Sequence, residues 1–343
     1  MKGINSVFMS NSPLVSIIIP CRDEEKFISK CLDSVITNDY PKDKLEVLVV
    51  DGMSVDGTRE IVEKDVQQYP FIKILDNPKK ITPCALNIGI KNAKGEIIMR
   101  MDAHTTYERD YISKCIKYLE EYNADNVGGI WKIFPKDNTI ISKGIVQVLS
   151  HPFGIGNAYY RFINNKEPLW VDTVPFFCCK KKLFENIGLF NENLMRGQDQ
   201  EFNLRLKKGG ARTLLVPEIV SYYYARSDLK SFVKHNFING MWAILPFKYT
   251  DIIPVSLRHL VPLIFVSILI LFGLLFLFSL LSLLGFLLVV GLYSLTNLYF
   301  SAKIAMREKD LRLLFVMPIM FATLHLCYGL GSAWGLIKCL KKN

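Results

Sequence analysis

Between Leu260 and Ala302 the chain carries no Asp, Glu, Lys or Arg, and no other feature limits its fold as sharply. The run is 43 residues long, about 64 Å as a helix at roughly 1.5 Å per residue. One crossing of a bilayer's hydrocarbon needs only about 30 Å, so the run reads as two apolar helices folded back on each other. A charged loop, Lys303 to Arg312, precedes a third apolar segment, Leu313 to Ile337. That segment contains Pro318, Gly329, Gly331 and Gly335, but an unbroken helix satisfies its own backbone in hydrocarbon and a broken one does not. The expectation is a membrane region over residues 260–343, with helices near 260–279, 281–301 and 313–337 and a full crossing by the last. Half of the residues are hydrophobic and 22% are charged, with a mean hydropathy of +0.22. Disorder and a purely soluble chain are both excluded.

Ahead of this region, residues 1–230 alternate short β-branched runs with helical stretches. Val15–Ile19, Leu45–Val50, Ile72–Leu75 and Glu96–Met101 read as strands. Glu24–Asn38, Thr58–Gln68 and a stretch opened by Thr82-Pro83 read as the helices between them. That alternation argues for an α/β domain on a parallel sheet, where ligands bind beyond the carboxyl ends of the strands. Later elements are sparser: Asp172–Cys179 as a strand, Lys181–Ile187 and Gln198–Lys207 as helices. Leu229–Trp242 is a helix at the membrane surface, leading into an interfacial linker over 231–259. The first apolar run, Leu14–Ile19, is too short for a leader, so the α/β domain is expected in the cytosol. The basic loop 303–312 agrees with that side.

The net charge is +10. With no zinc-finger spacing and no aromatic RNP box, the excess points to anionic lipid headgroups rather than nucleic acid. Eight scattered cysteines without a CxxC pair read as reduced, buried thiols. His151, His235, His259 and His325 lack metal-ligand spacing. Tyr222-Tyr223-Tyr224 and Trp242 read as an interfacial aromatic belt.

Polar clusters close three of the predicted strands: Cys21-Arg22-Asp23-Glu24, Asp51-Gly52 and Asp102-Ala103-His104. Asp102 and His104 can meet at a divalent cation if the chain turns out of its strand, and such an ion neutralises a leaving diphosphate. Standing alone, the triplet is more often a solvated turn. Asp51 can accept from a base imide or a ribose hydroxyl, or simply satisfy its own turn. Asp199, in the first turn of a helix, suits either a capping carboxylate or a general base.

Taken in order, these segments resemble the successive motifs of family 2 glycosyltransferases of the GT-A fold. Val15–Glu25, Val49–Thr58, Thr82–Gly95, Ile98–His104 and Gln198–Arg205 carry the likeness, strengthened by Arg100-Met101-Asp102-Ala103-His104, and the membrane-anchored branch fits best. The resemblance implies a Rossmann-like nucleotide-sugar-binding domain followed by transmembrane helices. Pro20, Arg22, Glu24, Asp51, Lys80, Asp102 and Ala103 would bind the nucleotide sugar, and Asp102 and His104 would hold Mg²⁺ or Mn²⁺. Asp199 would deprotonate the acceptor for inverting attack. The partners implied are a UDP-sugar donor, a lipid-linked acceptor and membrane lipids, with no nucleic acid, for an integral protein of the cell membrane. Three positions depart from the family pattern. His104 replaces a second Asp, which softens metal preference toward Mn²⁺. Gly52 replaces the second acid of an Asp pair, and Gln198 stands where Glu usually precedes the base. The stretch His235–Trp242 lacks the QxxRW motif of processive synthases, which implies transfer of a single sugar. A polyprenyl-phosphate monosaccharide synthase, whose acceptor needs no base, is the rival reading; a non-catalytic nucleotide-sugar-binding scaffold is the second.

Overall fold

The computed structural model describes residues 12–163, 166–225, 227–250 and 257–340; Lys341 and Lys342 lie outside them. The chain divides into two compact units, Met1–Lys132 with Ile163–Tyr223, and Ile133–Phe162 with Tyr224–Asn343.

The first unit opens with β1 (Val15–Cys21), α1 (Ile28–Ile36), β2 (Leu45–Asp51), α2 (Thr58–Gln68), β3 (Ile72–Asp76), α3 (Thr82–Asn92) and β4 (Ile97–Arg100). It continues through β5 (Thr105–Tyr107), α4 (Tyr111–Glu121) and β6 (Asn126–Pro135). Two helices of the second unit follow, α5 (Ile140–Leu149) and α6 (Pro152–Ile155). The chain then returns as β7 (Leu169–Val171), β8 (Cys178–Lys180), α7 (Leu183–Ile187), α8 (Gln198–Lys208) and β9 (Thr213–Ala225).

Among the described residues one sheet runs in the order β3-β2-β1-β4-β8-β6-β9-β5, with β7 pairing β9. The first four strands are parallel, as their continuous apolar runs require. β8 pairs antiparallel with β4 and β6, and β9 antiparallel with β5 and β7, so the sheet is mixed and the all-parallel expectation holds for its first half only. Along β1 the side chains alternate between faces. Ile17 and Ile19 join Ile28, Leu32, Ile112 and Cys115 in one apolar cluster. Ile18 joins Leu86, Ile90, Phe202 and Leu206 in the other. Gly89 lets α3 lie close on the sheet: a Cβ there would stand 2.4 Å from Ile18 Cγ2.

Several local expectations are corrected. Residues 172–179 are no single strand; β7 ends at Val171 and β8 starts at Cys178. Thr82, which opens the stretch, is already the first helical residue of α3, with Ile81 at the N-cap position and Pro83 inside the first turn. Tyr222 and Tyr223 are no membrane belt. They pair with Thr106 and Thr105 in the sheet, and Tyr223 stacks on Trp131 with ring centroids 4.9 Å apart. Six of the cysteines are buried and none is bonded to another, in keeping with inert thiols.

Glu46 ties the edge of the sheet together. Its carboxylate accepts from Ser16 Oγ at 2.6 Å, the Lys94 amide at 2.8 Å and Lys73 Nζ at 3.0 Å. Burial alone would raise its pKa, but the three donors outweigh burial and hold it below the ordinary value. Its stabilisation is therefore present above the unfolded-state pKa, about 4.3, and is lost as pH falls through the lower folded-state value. Glu46→Gln should cost about 1–3 kcal/mol at pH 7. In thermal melts of the detergent-solubilised chain, that deficit should shrink below about pH 4.

The second unit continues with α9 (Leu229–Ile244), α10 (Leu257–Leu275), α11 (Leu280–Glu308) and α12 (Arg312–Leu340). The last two are each 29 residues, long and apolar enough to cross a membrane, and the association with membranes follows from them. Phe265 of α10 stacks on Tyr293 of α11, and Phe276 on Phe286, which makes these two an antiparallel hairpin.

Candidate active site

At the carboxyl ends of β1, β2, β3 and β4 lies a cleft of about 170 Å³, lined by Pro20, Cys21, Arg22, Glu24, Gly52, Asn77, Lys80, Ile81, Thr82, Ala85, Arg100, Asp102 and His104. It forms because each strand breaks there. Asp23, Met53 and Lys80, in the segments that follow β1, β2 and β3, all adopt positive φ (53°, 57° and 61°), a conformation disfavoured for residues with a Cβ. Such conformations persist where surrounding structure enforces them, commonly at ligand sites.

Arg100 organises the acids. It ends β4 with 7% of its side chain exposed, and its guanidinium grips both oxygens of Asp102, Nε to Oδ1 at 2.8 Å and Nη2 to Oδ2 at 3.2 Å. Its Nη1 donates to Asp199 Oδ1. A buried guanidinium needs such partners, and the two acids raise its pKa against the effect of burial. The Asp102 amide donates to Tyr107 Oη at 2.7 Å, which fixes the turn out of the strand. His104 Nδ1 lies 3.1 Å from Glu24 Oε1. Burial opposes the charged imidazole, but Glu24 and Asp102 outweigh burial and raise its pKa.

Asp199 arrives from the other half of the unit. Gly197 takes φ +77° to start α8, and Asp199 follows in the first turn. Asn203 Nδ2 bonds its carbonyl at 2.8 Å. Arg205 clamps the preceding loop by donating to the carbonyls of Ile187 and Leu189. The Asp199 carboxyl is raised above its ordinary pKa, chiefly by burial and further by Asp102, with Arg100 opposing. A carboxylate made more basic in this way is better matched to accepting a proton near neutrality.

Pro20, Arg22, Glu24, Lys80, Asp102 and His104, named from the sequence, thus line one cleft, and Arg100 links Asp199 to it. Two others do not line it. The Asp51 side chain is fully buried and is used by Ser54, through its amide and hydroxyl, and by Arg59. Ala103 is packed in the core at 1% exposure. The surface beside Asp51 is instead Gly52, where a Cβ would meet Arg22 Cβ at 3.0 Å; glycine there lets Arg22 fold over the strand end. Sequence reasoning missed the roles of Arg100, Asn77 and Tyr107. Arg100 left a usable signal, as the lone charge among Ile97, Ile98, Met99 and Met101. An arginine inside a buried strand demands acids nearby.

Among the described residues no group of three or more His, Cys, Asp or Glu side chains is arranged to hold a metal. Asp102 lines the cleft, and a magnesium-like ion that keeps most of its ligands as water and substrate phosphate needs only one or two carboxylates from protein.

A mixed sheet with an acidic and basic cleft beyond its parallel strand ends has the GT-A architecture. Residues 16–188 match the model of glycosyl transferase family 2, and the chain belongs to that family. It is 35% identical over 232 residues to the dolichyl N-acetyl-alpha-D-glucosaminyl phosphate 3-beta-D-2,3-diacetamido-2,3-dideoxy-beta-D-glucuronosyltransferase of Methanococcus voltae, covering 66% of this chain and 71% of that one. It is 26% identical over 265 residues to the succinoglycan biosynthesis protein ExoA of Rhizobium meliloti, covering 71% and 79%. The fold is similar to the mannosyltransferase PcManGT of Pyrobaculum calidifontis, solved with GDP-Man and Mn²⁺: TM-score 0.58, 19% identity, 94% of this chain and 87% of that one.

Proposed function

We propose that this transferase moves one sugar, with inversion, from a UDP-hexose to a lipid-linked saccharide at the membrane. The observation that carries the reading is the bridge by which buried Arg100 ties Asp102, in the cleft lining, to Asp199. Pro20, Arg22, Glu24 and Lys80 form the walls that receive the nucleotide, with Arg22 and Lys80 supplying positive charge for its phosphates. Asp102 and His104 would hold Mg²⁺ or Mn²⁺, which supplies charge neutralisation for the departing diphosphate. Asp199 takes the proton from the acceptor hydroxyl as that oxygen attacks the anomeric carbon. Arg100 steadies the carboxylate in its ionised form beforehand. The lipid-linked acceptor is supported by the name of the Methanococcus voltae relative, which includes a dolichyl phosphate sugar. An acceptor confined to the bilayer also reaches a membrane-held enzyme at raised effective concentration. The transferase domain, to about residue 230, lies in the cytosol where nucleotide sugars are made, and the apolar hairpin fixes it to the cell membrane.

A donor-hydrolysis screen of the purified full chain over UDP- and GDP-sugars, with Mg²⁺, Mn²⁺ or chelator, tests this. A UDP-hexose should be hydrolysed slowly and only with metal. Consumption of a GDP-sugar alone, or turnover undiminished by chelator, would count against the reading.

A further inference from the structure

We infer that α12 lies along the membrane surface, its apolar stripe resting in the lipid, and does not cross the bilayer. This goes beyond the transferase reading and does not depend on it.

Length and composition alone allow α12 to cross. Its packing on α9 does not. The two helices run parallel in close register: Ser332 Oγ donates to Gly240 O at 3.0 Å, and Cys339 Sγ lies 3.9 Å from Ile244 O. A Cβ on Gly331 would stand 2.0 Å from Phe237 O, and one on Gly335 would stand 2.7 Å from Met241 O. Small residues let the backbones touch, as they do where helices pack in lipid. Phe237 therefore sits beside Gly331, and Lys234, three residues earlier, comes abreast of about residue 328. That is 16 residues from Arg312, or about 24 Å along the axis.

A crossing that began at Arg312 would carry Lys234 well past the bilayer's midplane, about 15 Å in. Exposed Lys230 and Asp228 would follow it into hydrocarbon. Charges at that depth are strongly disfavoured. Laid in the plane, α12 keeps all three charges at headgroup level.

The exposed face of α12 has the matching character. Phe315, Ile319, Leu326, Leu330, Trp334 and Ile337 are exposed and share one side of the helix by its 3.6-residue period. Exposed charges stand only near the ends of this stripe, at Arg312 and Lys338. The opposite side carries buried Leu313, Met317, Met320, Phe321 and Leu324. Met320 borders Gly144 of α5, and Phe321 packs on Phe153 of α6. This stripe can rest in lipid while the buried side stays on protein, with the two end charges reaching the headgroups. The adjoining hairpin of α10 and α11 supplies the continuity with lipid: Gly329 of α12 packs on Pro262 of α10.

Two measurements on the full chain in liposomes decide the matter, with Cys327 and Cys339 changed to Ser. Single cysteines at Glu308→Cys and appended after Asn343 should react with an impermeant thiol reagent from the same face; labelling from opposite faces overturns the inference. Spin labels at Ile319→Cys, Leu330→Cys and Ile337→Cys should then report depths within about 5 Å of one another. A crossing would instead leave Ile319 about 10 Å inside the hydrocarbon, seven residues from Arg312, with Ile337 back at the far headgroups, and a re-entrant helix would make the middle label deepest. Labels shielded from both oxygen and aqueous nickel would mean a second copy of the chain covers the stripe, which also overturns it.

Discussion

Asp199→Asn should lower the rate of sugar transfer about 10²- to 10⁴-fold, the range for removal of a positioned general base. Its affinity for UDP should stay within about threefold. The substitution keeps the size of the side chain and its place in the first turn of α8, but the amide cannot take a proton from the acceptor. Arg100 retains its paired bonds to Asp102, so the strand end stays in place. Steady-state kinetics on membranes or in detergent separate the two quantities, and the loss should fall on kcat rather than on donor KM. Near-normal turnover in this variant would point to a phosphate acceptor, which needs no base.

Asp102→Ala should abolish metal-dependent UDP binding, at least about 100-fold by calorimetry. The variant loses a carboxylate ligand, and a magnesium-like ion in such a site takes few others from protein. Chelator added to the unsubstituted chain should reproduce the loss, and should have no further effect on the variant. His104→Ala should weaken Mn²⁺-dependent binding in the same direction. Both proteins should remain folded. Arg100, otherwise left as a costly unpaired buried charge, keeps Asp199, and neither Asp102 nor His104 belongs to the apolar clusters that hold the sheet. Undiminished Mn²⁺-dependent affinity in both variants would remove the metal assignment.

The parts of this molecule governed by local pattern were legible in its sequence. β1, β2 and β4 are apolar runs closed by polar clusters, and those clusters meet in one cleft because parallel strands end on one side. Asp199 could be placed in the first turn of a helix from Gly197 and the residues after it. What was illegible depended on distant partners. β9, thirteen residues long, contains Pro217 and three successive tyrosines, and only its pairing with β5, β6 and β7 marks it as sheet. Asp51 suits either a ligand contact or its own turn by local pattern, and only the fold shows Ser54 and Arg59 taking up its oxygens. The bridge through Arg100 joins residues 99 positions apart in the chain, and no spacing rule encodes it. Likewise the depth of α12 depends on the register of α9 beside it rather than on its own apolar length.

The central claim is single-sugar inverting transfer to a lipid-linked saccharide. It is tested most directly by incubating the full chain in membrane vesicles with a UDP-hexose and a lipid-linked saccharide, then determining the mass and anomeric configuration of the lipid product. The account predicts a product heavier by one hexose, with the anomeric configuration opposite to that of the donor. A ladder of added sugars, a retained configuration or a donor left unconsumed would contradict it.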